Sequence, residues 1–147
     1  MSRGTMLFCS LFLLLHTSCK SQNSISSNAA NEPTIELVLV DNYSGFITEE
    51  LLIIKDQKSL QLFFAQINKT RKPGLMPPEI DFTKNMLVIW CEGETQNTSL
   101  GLSLYKETKA AYHLSKIIPT AQIKNAAIIS PFFVYKLPLS NKKVLVE

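Results

Sequence analysis

The sequence predicts an α+β fold: about seven mostly antiparallel strands in a curved sheet, with one amphipathic helix packed on it. Three observations carry this. The run Met86-Leu87-Val88-Ile89-Trp90-Cys91 is continuously apolar, which reads as a strand buried on both faces and therefore central to a sheet. One segment, Asp56 to Lys69, has helical periodicity. The apolar runs elsewhere are short and are joined by short links, which favours antiparallel neighbours. The chain has 147 residues, 46% hydrophobic and 18% charged, a composition that can bury one core.

The order of elements follows from local patterns. Ile35 to Val40 is a first strand, closed by the turn cluster Asp41-Asn42-Tyr43-Ser44-Gly45. Glu50 to Lys55 is a second strand, apolar on both faces. Asp56 is placed as the helix N-cap, and Leu60, Phe63, Phe64 and Ile67 recur at the spacing of one helical face, which assigns the two phenylalanines to the core. Thr70 to Pro78, with its prolines and glycine, ends the helix. After the central strand, Gly101 to Glu107 and Ala111 to Ile118 alternate in polarity and form a hairpin through Thr108-Lys109. Pro119 to Asn125 reads as a loop. Pro131 and Pro138 bracket a strand at Phe132 to Leu137, and prolines at both ends predict an edge. Lys142 to Val146 is a short last strand.

The N-terminus lies outside this fold. Arg3 precedes the apolar run Met6 to Leu15, which has the length of a signal-peptide core and is too short to span a bilayer. Thr17, Ser18 and Cys19 follow. Small residues before a cysteine resemble the bacterial lipobox, in a relaxed form such as Bacteroidetes-like organisms use, since His16 stands where leucine is usual. The expectation is a lipoprotein signal peptide over 1–18, acylation of Cys19, and a Ser/Asn/Ala-rich flexible tether over 19–34 with a reach of roughly 20 Å. Thiol usage agrees: Cys9 falls in the signal, Cys19 takes lipid, and Cys91 is a small core hydrophobe. Residues 35–147 are then the α+β domain. The lack of an aspartate after Cys19 and of an acidic cluster beyond it implies, by likeness to Gram-negative lipoproteins, the outer membrane facing the periplasm.

Several chemistries lack their residues. Beyond the signal the chain has one histidine, His113, on a strand beside Ser115 with no nucleophile signature, so it reads as a surface histidine. One histidine and one buried cysteine do not make a zinc site. Glu92 and Glu94 would share a face only if the strand ran through Gly93, and glycine is expected to break it there. No Gly-rich phosphate loop is present. The basic knot Lys69, Arg71 and Lys72 sits beside Pro73-Gly74 without aromatics and reads as a solvated loop; no nucleic-acid partner is expected. Asn42, Asn68 and Asn97 head glycosylation-type triplets that read as chance. No cofactor is expected.

From Ile53 onward, over roughly two thirds of its length, the chain resembles the PrcB-type C-terminal domain family, named for a subunit of a bacterial surface protease complex. The matching residues are Leu62-Phe63-Phe64 on the helix, Pro78, then Ile80-Asp81-Phe82-Thr83-Lys84 leading into Met86-Leu87-Val88-Ile89, then Gly93, Pro119 and Ser130-Pro131-Phe132. The family's Thr-Gly-Gly-Tyr step is replaced by Thr98-Ser99-Leu100-Gly101-Leu102. The resemblance implies a non-enzymatic module that binds or stabilises a protease or another envelope protein. The expected contact surface is the loop from Glu94 through Gln96 and Asn97 to Gly101, or the proline-bracketed strand with Phe133 and Tyr135, which would take a partner strand at its edge. A structural envelope lipoprotein without a dedicated client is the alternative; a hydrolase working through His113 and Glu94 is a weaker one.

Overall fold

The structure is a computed structural model that describes residues 35–97, 100–121 and 124–147. The signal peptide, Cys19, the tether and Thr98-Ser99 lie outside the described residues. The elements are β1 (Glu36–Asp41), β2 (Glu50–Ile54), α1 (Gln57–Ile67), β3 (Asn85–Cys91), β4 (Thr95–Asn97), β5 (Leu102–Glu107), β6 (Ala111–Lys116), β7 (Lys124–Ile129), β8 (Phe132–Pro138) and β9 (Lys143–Val146). One helix and mostly antiparallel strands are as expected, but the described residues form nine strands and not about seven, in three sheets and not one curved sheet. They have the orders β1-β8-β3-β2, β4-β7 and β5-β6-β9. All pairings among these strands are antiparallel except β6 with β9, which is parallel.

β3 is central, paired on one side with β2 and on the other with β8. Its alternation sorts the apolar run into two cores. Leu87, Ile89 and Cys91 face Leu60, Phe63, Phe64 and Ile67 of α1. Met86, Val88 and Trp90 face Leu102, Tyr112 and Leu114 of the three-stranded sheet. A run apolar on both faces is what a middle layer needs, since each face must be covered. The helix starts where its cap allows. Asp56 Oδ1 accepts from the Ser59 amide at 2.8 Å, while the Asp56 backbone is extended. Asp56→Ala is expected to cost about 1 kcal/mol of stability, read from the shift in urea midpoint. The helix ends at Ile67, before the prolines. There Asn68 clips the following loop, donating to the Leu75 carbonyl and accepting from its amide, each at 2.8 Å.

The proline argument fails for β8. This strand lies between β1 and β3, not at an edge. Pro131 precedes the first residue and Pro138 is the last, so neither interrupts the interior of the ladder. β4 and β7 are the strands that the sequence conceals: β4 is three polar residues, and β7 falls partly in the segment read as a loop.

Taken together, the pairings describe one long hairpin folded back on itself. β3 and β8 run as its proximal arms. The Glu92 amide donates to the Pro131 carbonyl, β4 then pairs β7, and β5 pairs β6 beyond. The distal half lies against the outer face of the proximal half, and the shared core between them is Trp90, Phe133 and Tyr135 with Leu102, Tyr112 and Leu114.

Candidate interaction surface

The fold-back begins at Gly93. Its φ of 85° belongs to the left-handed region, and a Cβ there would lie 2.8 Å from the Thr48 carbonyl carbon and 2.9 Å from the Ile47 carbonyl oxygen. The strand therefore stops at Cys91, as the sequence implies, and Glu92 and Glu94 do not form a pair on a continuing strand. The Glu94 amide donates to the Ile47 carbonyl at 3.0 Å and pins the turn. The fold-back ends at Gly101, with φ 89°, where a Cβ would overlap the Tyr135 hydroxyl and lie 2.9 Å from Phe133 Cδ1. That hydroxyl accepts from the Leu102 amide at 2.6 Å in the interior.

These contacts correct two expectations. Phe133 and Tyr135 are buried side chains of the core between the sheets, and β8 has a partner on both sides, so it has no free edge for a partner strand. Gly101 is buried against them. Burial raises the Tyr135 pKa above its ordinary value, although its hydrogen bond to Leu102 acts the other way, so the phenol stays neutral. These three residues hold the arm in place. Glu94, Gln96 and Asn97 are exposed along the fold-back. Exposed apolar side chains flank that strip. The Ile117 amide donates to the Gly101 carbonyl just beyond the β5–β6 ladder; Leu100 is exposed, Ile118 is 81% exposed and Ile128 on β7 is 62% exposed.

Beneath the turn sits a cluster that sequence reading misses. The Trp90 indole stacks on Phe133 at 5.5 Å between centroids and donates Nε1–H to Glu49 Oε1 at 2.8 Å. Lys116 Nζ donates to Glu49 Oε2 at 2.7 Å and lies 5.5 Å from the indole centroid. The available signal was the tryptophan itself, because a buried indole N–H needs an acceptor; which carboxylate supplies it depends on the turn at Gly93. Burial pushes the Glu49 carboxyl up, but the hydrogen bonds from Lys116 and Trp90 outweigh it and hold the pKa below the ordinary 4.5. Asp41 is similar: burial pushes it up, while Arg71, which also donates to the Tyr43 carbonyl, holds it below 3.8.

Depressed carboxyl values stabilise the fold fully above the ordinary values and lose that contribution as pH falls through the lower folded ones. The urea midpoint is therefore expected to be flat near neutral pH and to fall once the pH drops below 4.5. Lys116→Met should flatten part of that fall. An unchanged profile in Lys116→Met would remove Glu49 from the account.

Around His113 the side chains pair locally. His113 Nδ1 lies 3.2 Å from Glu147 Oε1, and the Tyr105 hydroxyl donates to Glu147 Oε2 at 2.7 Å. Ser115 Oγ meets Ser103 Oγ at 3.1 Å. Burial pushes the Cys91 thiol up to about 12, so it stays protonated as a core group. Among the described residues, no three His, Cys, Asp or Glu side chains are disposed to hold a metal. No described helix is long and apolar enough to cross a membrane.

The fold is thus a layered, mostly β protein with one helix, and Glu94, Gln96 and Asn97 stand exposed where its central hairpin folds back. Comparison with protein-family models, curated proteins and solved structures gives no match to the chain.

Proposed function

We propose that this protein is a lipid-anchored envelope protein, held by acylated Cys19 at the outer membrane and facing the periplasm, and that its domain is a non-enzymatic protein-binding module. Its partner is a protease or another envelope protein. One observation supports the binding role most directly: Glu94, Gln96 and Asn97 stand exposed just after Gly93, whose backbone packs closely on Ile47 and Thr48, and β4 is held by its pairing with β7. A contact strip held in shape loses little conformational freedom on binding. The resemblance to the PrcB-type domains supports the same role, and the lipobox-like step at Thr17-Ser18-Cys19 supports the anchor.

The test uses the full acylated chain as bait in envelope extracts, beside a variant with Glu94→Lys, Gln96→Lys and Asn97→Lys. A protein captured by the wild type and lost from the variant, with both equally folded, is the expected result. The same proteins captured by both would sink the assignment of this strip. Cys19→Ser is expected to block maturation, leaving a precursor that keeps residues 1–18, and unchanged processing would remove the anchor.

A further inference from the structure

The open strand edges of the described residues are not equal. Natural sheets blunt their edges with bulges, charges and short strands. β1 has a register shift between Leu37 and Leu39, and β5 has one between Leu104 and Lys106 followed by two charged residues. β4 and β7 pair irregularly, and β9 is four residues beginning at Lys143. β2 is also short, five residues beginning at the charged Glu50, but its ladder has no register shift. It pairs with β3 in unbroken register from Glu50 to Ile54, has no proline, and carries no charge from Leu51 to Ile54. It ends the four-stranded sheet, and Ile53 is 40% exposed.

The charges at its two ends indicate what covers it. We infer that β2 pairs antiparallel with β2 of a second copy of this chain, joining two four-stranded sheets into one. A two-fold axis through such a pair must stand perpendicular to the sheet, so that each face continues from copy to copy and facing residues share a side. The axis then passes through a residue. Placed at Leu52, it sets Leu51 against Ile53 of the second copy and Glu49 against Lys55 of the second copy, twice over. Apolar pairs lie at the centre and opposite charges at both ends, each favourable across strands, with Glu50 against Ile54 between them. Shifted to Ile53, the axis would bring Glu50 against Asp56, two like charges, and Leu51 against Lys55. Shifted to Leu51, it leaves Glu49 against Ile53 with no ion pair. Leu52 is the register that the sequence Glu49-Glu50-Leu51-Leu52-Ile53-Ile54-Lys55 favours. Within one protomer Glu49 bonds to Trp90 and Lys116, and Lys55 bonds to the Ser140 carbonyl, so the pairs between copies share or exchange those contacts.

The experiment is light scattering on the full acylated chain in a nonionic detergent, across a concentration series. The protein mass is expected to rise from one protomer to two. Ile53→Lys places like charges beside the axis, and Lys55→Glu sets carboxylate against carboxylate; each is expected to read the mass of one protomer where the wild type reads two. Lys55 is exposed, so its variant tests the interface even if Ile53→Lys disturbs the fold, and circular dichroism reports on both. A wild type that stays at one protomer throughout overturns the inference. So does a dimer that survives both substitutions in a folded chain, since another face would then hold it.

Discussion

Trp90→Ala is expected to lower the unfolding free energy by about 3–5 kcal/mol, the range for truncating a large buried aromatic. Trp90 is almost fully buried in the middle layer, and its loss opens a cavity against Phe133 beneath the three-stranded sheet. It also frees Glu49 from one of its two donors, so the damage reaches the turn that starts the fold-back. Urea unfolding followed by circular dichroism measures the change. Trp90→Phe separates the two effects: it keeps most of the ring contact and removes only the N–H, and it should cost clearly less. Equal losses for the two variants would mean that the indole hydrogen bond, and not the packing, dominates.

Gly101→Ala is expected to be nearly as damaging, at roughly 2–4 kcal/mol. An added methyl meets two obstacles: a backbone conformation that side chains rarely adopt, and the Tyr135 hydroxyl where the Cβ would sit. The hydroxyl cannot withdraw without leaving the Leu102 amide unpaired in the core, which itself costs about 1–3 kcal/mol. Tyr135→Phe isolates that second term. Combining Gly101→Ala with Tyr135→Phe should cost less than the sum of the singles, because both act on one contact. Strict additivity in that double-mutant cycle would break the link between them.

Much of this architecture is legible along the chain. The helix and its Asp56 cap, the double-faced burial of Met86 to Cys91, the hairpin of β5 and β6, and the break at Gly93 all rest on neighbours within a few residues, where periodicity and backbone preference act directly. β4 and β7 escaped because three polar residues, and a strand beginning in a loop-like stretch, carry no hydrophobic alternation. β8 was misplaced for a related reason. Its flanking prolines speak about the strand's ends, whereas its place between β1 and β3 is a matter of which distant partners bury Phe132 and Val134 on one face and Phe133 and Tyr135 on the other. The candidate surface divided in the same way: Glu94, Gln96 and Asn97 remained on the outside, while Gly101, Phe133 and Tyr135 proved to be its support.

By itself, then, the sequence determined what most segments are: one helix, several strands, a middle strand that must be covered on both sides, and an N-terminal segment that resembles a lipoprotein signal. Only the tertiary structure decided what does the covering. An apolar face demands burial but does not name its partner. The choice fell to the fold-back of the β3–β8 hairpin, whose own distal half supplies the third layer because Gly93 and Gly101 let the chain reverse where no side chain would fit.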